Sequence, residues 1–516
     1  MNGQSHRESC CASSSDDVRK YDLIILGGGS AGFAAAIQAH ELGRTVLMVN
    51  AETLGGTCVN VGCVPSKTLI RAAEALHKGG HHAFAGIKSE AALVDFEAVI
   101  RQKDELVSQL RQAKYMDVLE AYDRVELIEG DARLESPRTV RVNGVVYEAS
   151  RILVATGSRP WLPDIPGLAE SDPLDSTSAF ELTRLPESMI VLGGRYIALE
   201  IAQMFARLGT RITVLQRSGR ILPTEDADLT EALTGYLRDE SLRIETSVRV
   251  HEVRREGSGV VVRAHVGDAE REFSAERILC ATGRRANTET LGLEQIGVRL
   301  SGQGEILVDE HLQTSQPGIF AAGDVIGEPA FVYTAAYEGR LAAANALSGE
   351  PQRRDYRALP WVIFSDPQVA GVGLNELEAA SAGIEVEVAR LDLRNVPRAL
   401  AARDTRGFIK LIRRKGSDEL IGARILAPEG GEQIMEAALA IAGCQVAHQV
   451  VHNGALADTV VFHQAGNGFA RVVSLADKVI APPGIAFLRT RLAGSFCGAA
   501  GCNRKILGQA VRLAKF

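Results

Sequence analysis

Two cysteines of this chain, Cys58 and Cys63, lie five positions apart and could support thiol chemistry. They belong to the segment GGTCVNVGCVPSK, residues 55–67. Cysteines at this spacing do not normally meet on a regular helix, so Gly62 and Pro65 predict a distorted first turn that lets the sulfurs close. The exposed N–H groups of a helix start lower the pKa of a thiol and favour the reactive thiolate. In a reducing compartment, such a pair indicates catalysis or metal binding rather than structural crosslinking.

A zinc site at these cysteines would need two further ligands at suitable spacing. Three histidines lie downstream, His77, His81 and His82, but no second cysteine pair accompanies them. The residues therefore favour a redox-active pair over a zinc site or an inert pair.

A glycine turn follows the first apolar run of the chain. The run 21–26 precedes Gly27, Gly29 and Gly32, and a helical pattern follows. These glycines permit a tight turn, close approach of a pyrophosphate and close packing of helix on strand, and phosphates bind at the helix N-terminus. The pattern predicts a dinucleotide site, with a tight turn without ligand as the alternative. No acid ends the second strand, where Asn50 stands nearest to the usual ribose-binding position.

A second, less regular copy of this unit begins near residue 189. The apolar run 189–192 precedes Gly193, but Arg195 and Ala198 replace the second and third glycines. The following strand ends near Arg217 and Arg220, with no acid at its tip. Cations there suit a 2′-phosphate, so NADPH is favoured over NADH. A solvated basic loop is the alternative interpretation.

These repeats predict an α/β fold with parallel sheets. Each copy is followed by a short strand that ends in Ala-Thr-Gly, at 152–157 and 278–283, and the pattern changes from about residue 358. We therefore predict two Rossmann-like dinucleotide-binding domains and a C-terminal α+β interface domain. The predicted limits are a disordered tail at 1–19, a first domain at 20–157 with 285–355, a second at 158–284, and a third at 356–516 with an atypical tail from about 443.

Composition and charge exclude several functions. The chain has 516 residues and a net charge of −7, which gives no reason to expect nucleic acid or a membrane surface as a partner. No apolar run approaches the roughly 18 residues of a spanning helix, and the N-terminal segment lacks the apolar core of a secretory signal. Together with the use of NADPH, these features predict a cytoplasmic protein.

With these features the sequence resembles the pyridine nucleotide–disulfide oxidoreductases, a family of flavoenzymes. The segment GGTCVNVGCVPSK is highly specific to that family, and TSQPGIFAAGD, residues 314–324, resembles its second FAD motif. The resemblance runs from about residue 20 to about residue 442. It implies that FAD binds to the first domain and NADPH to the second.

The resemblance also implies roles for individual residues. Cys63 would be the charge-transfer thiol against the flavin, and Cys58 the interchange thiol. Lys67 would lie near the flavin ring, paired with Glu200, unless both are merely surface charges. The implied FAD contacts are Gly27, Gly29, Gly32, Asn50, Thr57, Thr156, Gly157 and Asp324. The implied NADPH contacts are Gly193, Arg217 and Gly283.

Several stretches resemble the members of the family that reduce mercuric ion. The segment 331–336 resembles one that carries a tyrosine near the bound metal, here Tyr333, which could otherwise be a packing residue. Hg(II) is a soft cation, and paired thiolates are its natural ligands. The implied reaction passes electrons from NADPH through FAD and the Cys58–Cys63 pair to Hg(II), giving Hg(0). The implied assembly is a homodimer in which each site is completed by the partner's third domain.

The carboxyl end departs from the family pattern. Mercuric-ion-reducing members end in a vicinal cysteine pair that captures Hg(II), which this chain lacks. Cys497 and Cys502 are either a substitute metal-capturing pair or incidental thiols. Members that reduce disulfides use a histidine followed five residues later by glutamate, but His463 is followed by Gly468 at that distance.

Two rival functions stay open at this point. One is a reductase of a glutathione-like or lipoamide disulfide, which the incomplete histidine–glutamate pair disfavours. The other is a flavin-bound protein with impaired catalysis that serves as a redox or metal-binding module, which the unusual carboxyl end favours.

Overall fold

The first apolar run forms a strand that is buried on both faces. In the computed structural model, which describes residues 19–443, 461–465 and 469–473, strand β1 spans Arg19–Leu26. Leu23 and Ile25 pack into one hydrophobic core, and Ile24 and Leu26 pack into another. A strand covered on both sides is typical of a parallel sheet between two layers.

The described residues contain 23 β-strands, numbered here in chain order. The first group is β2 (Val46–Asn50), β3 (Val125–Glu129), β4 (Ala132–Ser136), β5 (Thr139–Val142), β6 (Val145–Val154) and β7 (Ser158–Pro160). The second group is β8 (Ser188–Leu192), β9 (Arg211–Leu215), β10 (Arg243–Glu245), β11 (Val248–Glu256), β12 (Gly259–Val266), β13 (Ala269–Ala275) and β14 (Arg277–Cys280). The third group is β15 (Arg284–Ala286), β16 (Ile319–Ala321), β17 (Trp361–Ile363), β18 (Gln368–Gly373), β19 (Val386–Asp392), β20 (Phe408–Arg414), β21 (Leu420–Ala427), β22 (Val461–Ala465) and β23 (Phe469–Val473).

The described residues contain eleven α-helices. They are α1 (Ser30–Glu41), α2 (Gly56–Asn60), α3 (Cys63–Gly80), α4 (Phe96–Arg111), α5 (Asp117–Glu120), α6 (Tyr196–Leu208), α7 (Ala227–Asp239), α8 (Val332–Leu347), α9 (Glu376–Ser381), α10 (Pro397–Ala402) and α11 (Gly430–Gly443). None of the described helices is both long and apolar enough to span a membrane.

The chain divides into two compact units. The first takes in residues up to Cys58, Leu110–Arg159 and Arg285–Arg354, and the second takes in Val59–Gln109, Pro160–Arg284 and the residues from Asp355 onward. The first unit contains a seven-stranded sheet. Six of its strands have the order β3-β2-β1-β6-β5-β4, and the seventh, β16, pairs with β6. Strand β6 pairs with β5 along its first half and with β16 along its second half.

Helices α1 and α8 cover one face of this first sheet and pack closely on each other. A Cβ atom added to Gly339 in α8 would lie 2.0 Å from the carbonyl oxygen of Ala31 in α1. The absence of a side chain at Gly339 therefore lets the two helices approach at backbone distance.

The second unit repeats the same layered pattern. Its parallel sheet has the order β10-β9-β8-β14. Met189 and Val191 of β8 face a core shared with α6 and α7, whereas Ile190 and Leu192 face the antiparallel sheet β11-β12-β13. The repeat predicted from the two glycine turns is thus present in three dimensions, and the predicted α/β fold class is confirmed.

A third, antiparallel sheet lies in the same unit, with the order β17-β18-β21-β20-β19. Ala370 and Val372 of β18 pack against α11, and Val369 packs on the opposite side. The predicted α+β character of the region after residue 358 is confirmed. Leu69 of α3 and Ile100 of α4 pack into the core that contains α6, so these helices group with the second unit although the predicted limits assign them to the first domain. Those three-domain limits stay a prediction.

Several predictions concern residues that lie outside the described part of the chain. They are residues 1–18 of the predicted N-terminal tail and the thiol pair Cys497 and Cys502. His463 belongs to β22, which pairs with β23 in antiparallel register.

Candidate functional site

The turn between β1 and α1 requires glycine at two positions. Gly27 has a φ of +117°, and a Cβ atom there would lie 2.2 Å from the carbonyl oxygen of Ala155. A Cβ atom on Gly32 would lie 1.9 Å from the carbonyl oxygen of Gly27. Because both obstacles are backbone atoms, no side-chain movement can relieve them. These two glycines therefore close the turn and seat α1 upon it.

The remaining glycine of the turn, Gly29, contacts a glycine of the cysteine segment. Gly56 has a φ of +64°, and a Cβ atom on it would lie 2.7 Å from the Cα atom of Gly29. The two loops thus meet through backbone alone, and no described side chain caps the start of α1. Uncapped N–H groups at a helix start are a binding site for phosphate. Sequence reasoning missed Gly56, although the doubled glycine before Thr57 was a usable signal.

Asn50 ends β2 and holds the glycine turn in place. Its side-chain oxygen accepts a hydrogen bond from the N–H of Gly28 at 3.0 Å, and its side-chain nitrogen donates to the carbonyl oxygen of Glu52. An amide can accept and donate at once, which a carboxylate cannot. This explains why an amide occupies the place where an acid commonly binds ribose. The contact of Asn50 with FAD stays a prediction.

Asp324 begins a short 3-10 helix, Asp324–Ile326, after β16. Its carboxylate accepts a hydrogen bond from the Ser158 hydroxyl at 2.8 Å. The preceding Gly323 donates its N–H to the buried carboxylate of Glu338 at 2.7 Å. One hydrogen bond therefore holds Asp324 itself, and another holds the residue before it. Sequence reasoning identified Asp324 but missed Ser158 and Glu338, because both contacts depend on tertiary packing.

The first Ala-Thr-Gly segment is tied to a distant loop of the same unit. The Thr156 hydroxyl donates to the carbonyl oxygen of Asn287 at 2.7 Å, and the Asn287 amide donates to the carbonyl oxygen of Thr156 at 2.9 Å. Gly157, which follows, has a φ of +68°. The reciprocal pair defines the end of β6. Thr57, by contrast, is exposed in α2.

The two cysteines of the predicted redox pair lie on two consecutive helices. Cys58 belongs to α2, Cys63 is the first residue of α3, and both are half-buried. The helix α3 has 18 residues and starts after Gly62. The N–H groups of its first turn stabilise a thiolate on Cys63. The prediction that Cys63 stands at a helix start is confirmed.

Lys67 lies one turn further along α3 and forms an ion pair. Its ammonium donates to Glu200 at 2.7 Å, and Glu200 also accepts the N–H of Phe364 at 2.8 Å. The Lys67 ammonium lies 4.6 Å from the centroid of the Phe364 ring. The Glu200 side chain is 8% exposed and the Lys67 side chain 30%, so the surface-charge alternative does not hold for Glu200. The place of Lys67 near the flavin ring stays a prediction. Phe364 is a third member of this cluster that sequence reasoning did not single out.

The second glycine turn repeats the geometry of the first. Gly193 has a φ of +116°, and a Cβ atom there would lie 2.3 Å from the carbonyl oxygen of Ala281. Arg195 directly precedes α6. Arg217 is exposed two residues after β9, and Arg220 donates to the carbonyl oxygen of Pro223 at 3.2 Å. One arginine therefore lies at the helix start and another shortly after the second strand, and arginine is a good partner for phosphate. The contacts of Gly193, Arg217 and Gly283 with NADPH stay predictions.

Tyr333 lies in the first turn of α8 and is half-buried. Its ring stacks on the ring of Phe331, with centroids 5.4 Å apart and planes at 7°. The stacking orients the tyrosine, and its predicted place near a bound metal stays a prediction.

The described residues contain one cluster of three carboxylates with metal-like spacing, but a lysine occupies it. Oxygens of Asp226, Asp228 and Glu376 lie within 4.8 Å of one another. The Lys410 ammonium donates to all three, at 3.1, 2.8 and 2.6 Å, and its side chain is 2% exposed. The ammonium supplies the positive charge that a cation would supply, so the cluster is structural.

The strained glycine turn leads to a first testable prediction. We expect Gly27→Ala to weaken FAD binding by about five- to thirtyfold, because a left-handed backbone costs a residue with a side chain about 1–2 kcal/mol and 1.4 kcal/mol is tenfold in affinity. The ratio of flavin to protein absorbance after desalting measures the effect. Gly235→Ala in α7, where an added Cβ meets nothing within 4 Å, should retain flavin like the parent. Equal flavin content in both variants would contradict the assignment.

Cys280 provides a second prediction, on thiol reactivity. Burial, aided by the nearby Asp175, raises the pKa of the Cys280 thiol to about 12. Because only the thiolate reacts, about one Cys280 in ten thousand is reactive at pH 8. In the native, NADPH-reduced protein we expect N-ethylmaleimide to modify Cys58 or Cys63 within minutes and Cys280 only after unfolding. Mass spectrometry of the labelled peptides reports this order, and native labelling of Cys280 at the rate of the pair would refute it.

Two family models match the chain. The model described as pyridine nucleotide-disulphide oxidoreductase matches residues 21–339, and the model of that family's dimerisation domain matches residues 359–460. The second match extends the resemblance beyond residue 442, where sequence reasoning ended it.

Individual relatives agree with the family models. The chain is 44% identical to a mercuric reductase from Staphylococcus aureus and 45% identical to one from Streptomyces lividans. Each comparison covers 82% of this chain, with 77% and 90% of the respective relative. Among solved structures, an HOCl-induced flavoprotein disulfide reductase from Escherichia coli is similar, with a TM-score of 0.72 and 29% identity over 82% of this chain and 93% of that one.

Proposed function

The chain belongs to the pyridine nucleotide-disulphide oxidoreductase family, and on this premise we propose that it reduces Hg(II) to Hg(0) with electrons from NADPH. Its cofactors are FAD and NADPH. The assignment of Hg(II) as the substrate rests on the cysteine pair, one thiol of which lies at the start of α3. The chain is similar over most of its length to proteins named mercuric reductase.

The proposed reaction balances in atoms and charge. Hg(II) held by two thiol ligands, RS–Hg–SR, accepts two electrons, and both Hg–S bonds break. NADPH gives up a hydride and becomes NADP⁺, so RS–Hg–SR + NADPH + H⁺ gives Hg(0) + 2 RSH + NADP⁺. Thiolates suit this substrate because soft sulfur ligands bind soft metal ions in preference to oxygen or nitrogen.

We assign Cys58 and Cys63 as the residues that exchange ligands with this complex. A cysteine thiolate forms a bond to the metal, one Hg–S bond to an external ligand breaks, and that ligand leaves as a thiolate that takes up the proton the cysteine released. We assign Cys63, which stands in the first turn of α3, as the charge-transfer thiol, because the N–H groups at a helix start favour a thiolate. Cys58, in the preceding short helix, is then the interchange thiol that meets incoming ligands.

The residues present fit FAD. Gly27 and Gly32 are required for the tight turn between β1 and α1, Gly29 meets the backbone of Gly56, and the uncapped start of α1 offers N–H groups to the pyrophosphate. We assign Asp324, whose carboxylate accepts a hydrogen bond from Ser158, to the hydroxyls of the ribityl chain. Bound FAD supplies two-electron transfer between the nicotinamide and the cysteine pair.

We assign Lys67 and Glu200 as positioning and electrostatic groups for the flavin. Glu200 is held by the N–H of Phe364 and in turn orients the Lys67 ammonium. A fixed positive charge stabilises negative charge that arrives nearby, and it costs no reorganisation at that moment. Lys67 therefore favours the reduced state of the site.

For NADPH we assign Gly193 and Gly283 to the glycine-lined turn and Arg217 to the 2′-phosphate. Arg217 follows β9, where a dinucleotide fold holds the ribose. An arginine fork matches a phosphate with two hydrogen bonds. Because NADPH is a reductant of the cytoplasm, we propose that the reaction takes place there.

The matched dimerisation domain supports a homodimer as the working form. We propose that the partner's third domain completes the metal-binding side of each site and that Tyr333 lies beside the bound metal there. Cys497 and Cys502 are candidates for metal capture in this assembly.

One assay separates the proposed function from its rivals. Flavin-loaded protein of verified intact mass is mixed with NADPH and either Hg(II) plus excess thiol, glutathione disulfide or lipoamide, and absorbance at the NADPH band is followed. Turnover that depends on Hg(II), with release of mercury vapour, supports the proposal. Turnover only with a disulfide overturns it in favour of a disulfide reductase, and no turnover favours a flavin-bound module.

A disulfide reductase is the second candidate, because solved structures similar to this chain are of a flavoprotein disulfide reductase. The missing glutamate after His463 disfavours it, since that histidine would lack the carboxylate that orients and polarises it.

A further inference from the structure

Three neighbouring strands of the parallel sheet in the second unit end at the same level. Leu215 of β9 lies opposite Leu192 of β8, and Leu192 lies opposite Cys280 of β14. In an open sheet of this kind, a dinucleotide binds in the crevice outside the carboxyl ends of the strands. The proposed NADPH would therefore lie along this edge.

The strand order places the two halves of the nucleotide on opposite sides of β8. Arg217, which we assign to the 2′-phosphate of the adenosine half, follows β9 on one side of β8. The pyrophosphate would lie at the glycine turn that follows β8. The nicotinamide half would then extend toward β14, which pairs with the other side of β8.

The segment that follows β14 lines the glycine turn and leaves room beside it. A Cβ atom on Gly193 would lie 2.3 Å from the carbonyl oxygen of Ala281 and 3.6 Å from the backbone nitrogen of Thr282. Gly283 has a φ of +138°, and a Cβ atom on it would meet nothing within 4 Å. The space in front of Gly283 is therefore open to a ligand.

Trp161 is joined to this segment by two hydrogen bonds. Its N–H donates to the carbonyl oxygen of Gly283, and its carbonyl oxygen accepts from the Thr282 hydroxyl, both at 3.0 Å. The Trp161 side chain is nevertheless 42% exposed, and the adjacent Leu162 is 41% exposed. The indole N–H has no acceptor among the described residues. Adjoining exposed apolar side chains mark a ligand-binding surface more often than single ones do.

We propose, on the basis of the NADPH site assigned above, that Trp161 packs against the nicotinamide nucleoside of the bound dinucleotide. A tryptophan offers a large rigid apolar surface, and its indole N–H can donate to a ribose hydroxyl. Leu162 extends the same surface. Trp161 is then a positioning residue for the nicotinamide end, separate from the arginine that holds the adenosine end.

Two ligands distinguish the two ends of the site. NADP⁺ contains both halves of the dinucleotide, whereas 2′,5′-ADP is the adenosine half alone. Titration calorimetry of the oxidised, flavin-loaded protein gives the affinity for each. We expect Trp161→Ala to weaken NADP⁺ binding by about fivefold or more and to leave 2′,5′-ADP binding unchanged. Trp161→Phe, which keeps a ring, should retain most of the NADP⁺ affinity, and Arg217→Ala should weaken the binding of both ligands.

Fluorescence provides an independent measurement on the same protein. Trp161 and Trp361 are the only tryptophans of the chain, so Trp361→Phe leaves Trp161 as the single tryptophan. The emission of this variant should change when NADP⁺ binds and should not change when 2′,5′-ADP binds.

Phe84→Ala is the matched control, because Phe84 is an aromatic residue that is 43% exposed and lies outside this sheet. It should bind both ligands like the parent, and flavin content checks the folding of each variant. Unchanged NADP⁺ affinity in Trp161→Ala, or an equal loss for both ligands, would overturn this inference and leave the NADPH site standing. A parent that binds neither ligand would overturn the NADPH site and the inference together.

Discussion

Replacing Cys58 with serine is expected to reduce Hg(II)-dependent NADPH oxidation by about a thousandfold or more, on the scale seen when a catalytic nucleophile is removed. A serine hydroxyl neither ionises near neutral pH nor binds a soft metal ion. The variant should still bind flavin, because Cys58 lies outside the glycine turn between β1 and α1. Initial rates with Hg(II) plus excess thiol measure the effect.

Two controls make this result specific. The Cys58→Ser variant should still pass electrons from NADPH to ferricyanide, which takes electrons from a flavin without thiols. Cys280→Ala removes a buried thiol outside the pair and should retain Hg(II) turnover. Full Hg(II) turnover by Cys58→Ser would show that the pair does not carry the reaction.

The second large effect concerns stability, through a buried ion pair between β21 and the segment before α7. The Arg424 and Glu225 side chains are 1% and 4% exposed, and the guanidinium donates to the Glu225 carboxylate at 2.7 Å. It also donates to the carbonyl oxygens of Val372 and Ala423, at 3.1 and 2.9 Å. We expect Arg424→Met to lower the free energy of unfolding by about 3–5 kcal/mol, because it strands a buried carboxylate. Urea denaturation followed by fluorescence measures the loss.

Arg414→Met in β20 is the matched control for this substitution. Arg414 binds Glu419 at 2.7 Å, but the two side chains are 43% and 59% exposed, so the loss should be only about 0–1 kcal/mol. Equal losses in the two variants would contradict the role assigned to burial.

The Arg424→Met effect should also depend on pH. Burial raises the pKa of Glu225, and Arg424 acts against that rise, so removal of Arg424 raises the pKa further. A carboxyl whose pKa is raised by folding destabilises the folded protein at pH values above the pKa of the unfolded state, near 4.5. This destabilisation disappears once the carboxyl is protonated. The difference between parent and variant should therefore shrink between pH 8 and pH 5. A difference that grows on acidification would refute this account.

Local patterns explain why the fold could be predicted. The apolar runs at 21–26 and 189–192 became β1 and β8, each followed by a glycine turn and a helix. The strand predicted to end near Arg217 is β9, which ends at Leu215. Such elements follow from contacts between near neighbours in the chain, which sequence spacing displays directly. Helix α1 begins at Ser30, before the last glycine of the turn, so the glycine turn itself supplies the first helical residues.

The candidate site was only partly accessible in this way. The glycines, Cys58 and Cys63 were identified from local motifs, and the pairing of Lys67 with Glu200 came from family resemblance. Phe364, Ser158 and Glu338 have no local signature. Each forms a hydrogen bond with a residue that is not a near neighbour in the chain, at separations of 164, 166 and 15 residues respectively.

The sequence by itself determined where the turns, helices and strands begin and which residues can carry redox chemistry, because glycine conformation, apolar alternation and thiol reactivity are properties of short segments. Only the tertiary structure decided which polar groups meet. The Arg424–Glu225 pair joins β21 to the segment before α7, and the Lys410 cluster joins β20 to α9 and the start of α7. Those meetings are set by sheet register and by burial, which depend on how the whole core packs.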